Sequence, residues 1–274
     1  AISEDNAIGQ AGVSSSNFTS LMHNCISQTL VALKAEETVQ LVIGQLENGE
    51  KPVIALSNTM GTVIKWYAEE HDVKQGDEIN LSFADLLNRY LDRSRDIIVK
   101  DYDGRSERRP LTGRELGSEG QQAFVDAREI ISSSDFSTIP ISPIDYIKSR
   151  LQEQGYSVGE ITGRRETLQY QDDGTTTLKL RSSSELKTNA KIETVKQFNS
   201  GDLDVLILNK SGATGISLHA SETFADQRPR HMNILQAAGD INEFVQMLGR
   251  VNRTGQVVPP NYSLVMSDIP AEKR

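Results

Sequence analysis

The chain has 274 residues, one to two domains at roughly 100–200 residues each, so a sizeable core can form. Its 29 Lys+Arg against 38 Asp+Glu leave a formal net charge of −9, which excludes a global basic field; any contact with nucleic acid or anionic lipid must be a local patch. The single cysteine, Cys25, excludes a disulfide framework and a cysteine-based zinc cluster and points to a reducing, cytoplasmic setting, while the lack of an apolar run near ~18 residues or of a signal-peptide pattern excludes a membrane protein.

Residues 1–32 are rich in Ser, Asn and Gly without a sustained period, and read as a polar lead-in or tail. Beginning at Ala1 without a methionine, the chain reads as a piece of a longer protein. From Leu33 the pattern changes: Val39, Val42, Ile43 and Leu46 make a helical stripe that Asn48-Gly49 ends. The apolar run 53–56 predicts a strand, and Met60, Val63, Ile64 and Tyr67 predict a helix after it. The rhythm breaks at about 72–139, an insertion in which only Phe83 to Leu91 carry a helical stripe. It resumes with a helix opened by Ser142-Pro143, a strand over 156–161, a Thr/Ser-rich interruption at 171–188 that reads as a hairpin or loop, and a helix around Ile192, Val195 and Phe198. The run 203–209 alternates too little for a half-exposed strand and reads as buried on both sides; 231–236 and 262–266 read the same way, with a helix from Asp240 between them. Strands alternating with amphipathic helices predict an α/β fold: a parallel sheet of five or more strands, flanked by helices.

Chemistry concentrates in two segments. In 240–256, Ile241, Phe244, Val245 and Leu248 form one helical stripe while Gln246, Arg250 and Arg253 gather opposite, with Gly249 leaving room for something to approach the backbone. By itself this pattern also fits an ordinary solvated face. Ahead of it, directly after the buried strand 203–209, stands Ser211-Gly-Ala-Thr214-Gly215-Ile-Ser, small residues where a parallel strand meets its crossover and ligands bind in open α/β sheets. An ordinary glycine turn is the plain alternative there. Nowhere does the chain contain G-x-x-x-x-G-K-[ST], so it has no cradle for β- and γ-phosphates.

These two segments resemble motifs V and VI of superfamily 2 helicases, in the second of their two RecA-like lobes. More narrowly, KPVIALSNTM (51–60), LSFADLLNRYL (81–91), ISPIDYIKSRL (141–151), GYSVGEITGRR (155–165) and the segment through Gln256 resemble the strawberry notch type. The resemblance implies that 33–274 form a C-terminal RecA-like lobe. Arg250 and Arg253 would reach as catalytic arginine fingers to ATP and Mg²⁺ held mainly by a first lobe, with Gln246, Gly249, Gly215 and Thr214 at the nucleotide. It further implies that Thr162, Gly163, Arg164 and Ser211 face nucleic acid, DNA ahead of RNA, and that the isolated chain does not hydrolyse ATP. Asn252 departs from the family, whose members often carry histidine there.

Within the insertion, 89–114 hold 8 Lys/Arg and 5 Asp/Glu, a local positive excess that makes Arg105, Arg108 and Arg109 further nucleic-acid candidates; a charged surface loop is the alternative. The four histidines and Cys25 show no metal-ligand spacing, so no metal site is expected. Two other functions compete: a non-catalytic scaffold that binds nucleic acid or protein through the same shape, and a self-contained Rossmann-type enzyme. The absence of G-x-G-x-x-G after the first strand weighs against the latter.

Overall fold

The computed structural model describes residues 8–100, 106–209, 215–237, 239–270 and 272. The chain divides into two compact units: Leu30–Leu81 with Pro140–Arg274, and Ala1–Thr29 with Ser82–Ile139.

The larger unit is built on one parallel sheet. Five strands, β1 (Lys51–Leu56), β4 (Val158–Ile161), β7 (Val205–Asn209), β8 (Arg230–Ile234) and β9 (Asn261–Leu264), lie in the order β4-β7-β1-β8-β9, and every pairing is parallel. This is the expected RecA-like α/β arrangement. Every residue of β1 and β7 is buried, because helices cover both faces. Ile54, Leu56, Val205 and Ile207 pack under α2 (Ala35–Glu47) and α6 (Pro143–Glu153); Val53, Ala55, Leu206 and Leu208 pack with Phe198 of α7 (Thr188–Ser200) and with Phe244, Met247 and Leu248 of α8 (Ile241–Leu248). Strand β9 departs from the expectation of two-sided burial: it lies at the sheet edge, and Tyr262 and Leu264 are exposed. Residues 166–180 form a hairpin, β5 (Glu166–Tyr170) against β6 (Thr176–Leu180), so the Thr-rich interruption begins earlier than its composition suggests.

The smaller unit holds what the sequence left without structure. The supposed polar lead-in is helical in α1 (Ile8–Leu33), of which the part up to Thr29 belongs to this unit, with Leu21 buried. The insertion contributes α4 (Phe83–Ser94), the hairpin β2 (Asp96–Lys100) with β3 (Ser106–Pro110), and the long α5 (Gly113–Ser133). Both helices open on capping boxes, Ser82 with Asp85 and Thr112 with Glu115, a signature present in the sequence but spread through polar surroundings. None of the residues of α5 is buried, which is why no apolar period marks it strongly. Tyr90 Oη donates to Gln28 Oε1 at 2.8 Å, tying α4 to α1.

Candidate functional site

In the larger unit the carboxyl ends of β1, β4, β7 and β8 share one edge, where doubly wound sheets place their ligands. The loop after β8 braces the loop after β1: Gln236 Oε1 accepts the Ser57 and Asn58 N–H groups at 3.2 and 3.0 Å.

Helix α8 starts where expected, with Asp240 Oδ1 accepting the Asn242 and Glu243 N–H groups, but it ends at Leu248. Arg250 and Arg253 therefore stand in the turn that follows, not on a helical face with Gln246. The cause is tertiary. Val251 is buried in the core, and the Arg250 carbonyl accepts the Leu218 N–H at 2.9 Å, an oxygen that a continuing helix would use internally. Arg250 Nη1 in turn donates to the Ile216 carbonyl at 3.4 Å, so the two chemistry-bearing segments meet at main-chain level. Arg250 is half-buried and its Nε has no hydrogen-bond partner among the described residues; Arg253 and Gln246 are exposed. Burial and then the nearby charge of Arg253 lower the Arg250 pKa, and neither arginine forms a salt bridge with a described residue. Two like charges held near each other with an orphaned donor suit an incoming anion. Gly215, exposed with φ +79°, occupies the left-handed conformation its lack of a Cβ allows. Gly249 has ordinary helical geometry, and an added Cβ would meet only Val245 O at 3.5 Å and Gln246 O at 3.6 Å, so the fold itself does not require glycine there.

The expected nucleic-acid contacts of Thr162 and Arg164 are corrected by burial. Thr162 is fully buried and its hydroxyl donates to Glu160. The Arg164 guanidinium is forked over two carboxylates: Nη1 and Nη2 reach Asp145 at 2.7 and 2.6 Å, and Nε and Nη2 reach Glu160 at 2.7 and 2.9 Å. Asp145 also accepts the Leu168 N–H, so this arginine locks α6, β4 and β5 together. Burial would raise the Glu160 pKa, but Arg164, Lys148 and Arg181 outweigh it and hold the carboxyl well below its usual range. Gly163 and Arg165, by alternation along the extended loop, face outward.

Those two residues line a groove of about 610 Å³ together with Thr59, Gly61, Thr62 and Lys65. Helix α3 (Gly61–Glu70) begins there after Met60, which holds a left-handed φ of 58°, and no side chain caps its first turn. Leading N–H groups, Lys65 and Arg165 thus give the groove anion-binding character. Gly61 is required by packing: an added Cβ would stand 2.8 Å from Arg164 Cβ. Sequence reasoning missed Lys65 and Arg165; the doublet Arg164-Arg165 was the available signal, but local pattern does not tell which of two adjacent arginines turns inward.

Ser211, Thr214 and Arg105 lie outside the described residues. Arg108 is exposed, whereas Arg109 is engaged bidentately by Glu115 at 2.8 and 2.6 Å. His231 is a satisfied histidine that ties together the turn before β1, β8 and β9: Nδ1 contacts Glu50 Oε2 at 2.6 Å and Nε2 contacts Ser263 Oγ at 2.7 Å. Among the described residues no group of three metal-ligating side chains converges, and no helix is long and apolar enough to cross a membrane.

Residues 142–274 match the family described as the C-terminal domain on Strawberry notch homologue. The match starts at the cap of α6 and leaves segments 51–60 and 81–91 outside it. Protein strawberry notch of Drosophila melanogaster is 33% identical over 119 residues, 43% of this chain and 7% of that protein. Human strawberry notch homolog 1 is 31% identical over 119 residues, 43% of this chain and 8% of the relative, and FORGETTER 1 of Arabidopsis thaliana is 29% identical over 148 residues, 53% and 11%. The aligned stretches are thus about a tenth or less of these relatives' lengths. A solved structure, the C-terminal part of the Fun30 ATPase domain, aligns over 48% of this chain and 34% of that one at 16% identity with a TM-score of 0.33. Over residues 142–274, then, the chain is similar to the C-terminal domain of Strawberry notch homologues.

Proposed function

We propose that this chain is the second RecA-like lobe of an ATP-dependent nucleic-acid helicase or translocase, residues 33–274 forming the lobe and 82–139 an insertion. It presents Arg250 and Arg253 to ATP carried by a first lobe. The observation that carries this reading is the Arg250 turn: two cations without a carboxylate partner among the described residues, set in the turn that follows α8 and hydrogen-bonded to the segment around Ile216. With no phosphate loop in its sequence, the chain fits the flank of a triphosphate and not its cradle. ATP and its Mg²⁺, when bound to the other lobe, supply the reacting phosphoryl group. Arg250 and Arg253 then face the charge that spreads over its equatorial oxygens, and Gly215 keeps the approach clear of a side chain.

Nucleic acid, DNA ahead of RNA, runs along the groove of Gly163, Arg165, Lys65 and the α3 N-terminus. Contacts to the phosphodiester backbone there carry affinity without sequence readout.

The test is steady-state ATPase of the full-length protein with Arg250→Ala and Arg253→Ala. Nucleic-acid-stimulated turnover falls by ~10³-fold or more, in the range of an arginine finger, with nucleotide binding largely retained. Unchanged turnover in both variants makes this lobe a non-catalytic scaffold instead.

A further inference from the structure

A second polar concavity, of about 240 Å³, opens in the larger unit between α6 and the β5–β6 hairpin, lined by Lys148, Gln152, Gln169, Tyr170, Lys179 and Arg181. The charge arithmetic around it does not close. On its inner side Asp145 and Glu160 are already shared by Arg164, yet Lys148 Nζ also reaches Glu160 Oε2 at 3.0 Å and Arg181 Nη1 reaches Glu160 Oε1 at 3.3 Å. Three cations thus draw on two carboxylates. Such a surplus is costly in a partly dry site unless an anion completes it.

Arg181 is the group most exposed to this imbalance. Its side chain is only 11% accessible, and its side-chain hydrogen bonds to described residues run through Nη1, at 3.2–3.3 Å to Glu160, Thr162 and the Arg164 carbonyl. Its fork is therefore only half used. Lys179, on β6 just before Arg181, is exposed and forms no salt bridge with a described residue. Glu185, the acid at the rim, accepts the Ser182 N–H and hydroxyl at 2.7 and 2.8 Å and keeps its charge near Arg181 and Lys179, so four cations (Lys148, Arg164, Lys179, Arg181) stand against three carboxylates (Asp145, Glu160, Glu185). Burial raises the Tyr170 pKa, so its phenol stays a donor, and Gln152 and Gln169 add amide donors to the wall. A tetrahedral oxyanion with several acceptor oxygens matches that set: a forked guanidinium, two ammonium groups and neutral donors in a volume too small for a drug-sized molecule.

We infer that the pocket between α6 and the β5–β6 hairpin binds a small phosphate-type oxyanion, either inorganic phosphate or the phosphate of a small monoester. No lining residue is shared with the groove at Lys65 and Arg165, although the Arg181 N–H donates to the Arg165 carbonyl at 2.8 Å, and the phosphate test reads this pocket whatever the use of that groove or of the Arg250 turn.

The experiment is isothermal titration of this chain with inorganic phosphate, and separately with a nucleoside monophosphate, at constant ionic strength held by chloride. Saturable one-to-one binding is expected, weakened ~10-fold or more by Lys179→Glu, whose site is exposed and tolerant, and likewise by Arg181→Gln. Circular dichroism of both variants reports whether they remain folded; where Arg181→Gln does not, Lys179→Glu decides alone. Tighter binding of the monophosphate than of phosphate identifies a monoester as the ligand, and equal or weaker binding identifies the free anion. Linear, non-saturating heats with both probes overturn the proposal, as does parental affinity in a folded Lys179→Glu or Arg181→Gln.

Discussion

The main-chain carbonyl of Arg250 accepts the Leu218 N–H at 2.9 Å, and through this bond the turn after α8 and the segment after β7 are one structure. Gly215 stands at the head of that segment with φ +79°. Gly215→Val forces a β-branched residue into the left-handed region, at ~1–3 kcal/mol. Urea unfolding should show that loss, and ATPase of the full-length protein should fall although both arginines are present. Gly249→Ala behaves oppositely: its Cβ meets only ordinary contacts, so unfolding stays parental, and any ATPase loss measures how closely a ligand approaches that backbone.

Arg164 and Arg165 separate structure from binding. Arg164→Met strands Asp145 and Glu160 in a buried site and should cost ~3–5 kcal/mol by chemical denaturation. Arg165→Ala, in contrast, should leave the denaturation midpoint within ~0.5 kcal/mol of the parent. In the full-length protein it should weaken nucleic-acid binding across sequences and shrink the slope of log K against log salt by about one contact.

At Gly61 the groove and the core share a wall. Gly61→Ala presses a methyl against Arg164 Cβ at 2.8 Å, contact that backbone and a locked side chain must absorb. Overpacking of this kind costs ~1–3 kcal/mol, visible as a lower melting temperature.

Acid should unfold the larger unit through two carboxylates. Burial opposes ionisation of Glu160 and Asp226, but Arg164, Lys148 and Arg181 outweigh it at Glu160, and Arg228 and Lys51 outweigh it at Asp226, so both folded pKa values lie below the unfolded ones. Their contribution is fully present above the unfolded carboxylate values, about pH 4–4.5, and is lost as pH falls through the depressed folded values. Urea midpoints measured from pH 7 downward should therefore hold steady to about pH 5 and then drop; a midpoint that rises on acidification contradicts the assignment.

Periodicity and composition sufficed for what is local. Apolar runs marked β1 as a strand and β7 as a two-sided one, the stripe of Val39, Val42 and Leu46 marked α2, Ser142-Pro143 marked the start of α6, and their alternation required a parallel sheet. The spacing of Gln246, Arg250 and Arg253 and the missing phosphate loop were likewise plain. What the linear pattern could not carry was any choice made between distant residues. The strand order β4-β7-β1-β8-β9, the exposed position of β9, the end of α8 at Leu248 and the inward turn of Arg164 all depend on partners far along the chain or on another element. A helix stops where a carbonyl finds a better donor, as Arg250 finds Leu218, and a charged side chain is buried only where carboxylates meet it, as Asp145 and Glu160 meet Arg164. Both are energies of contact, and contact exists only once the chain has folded.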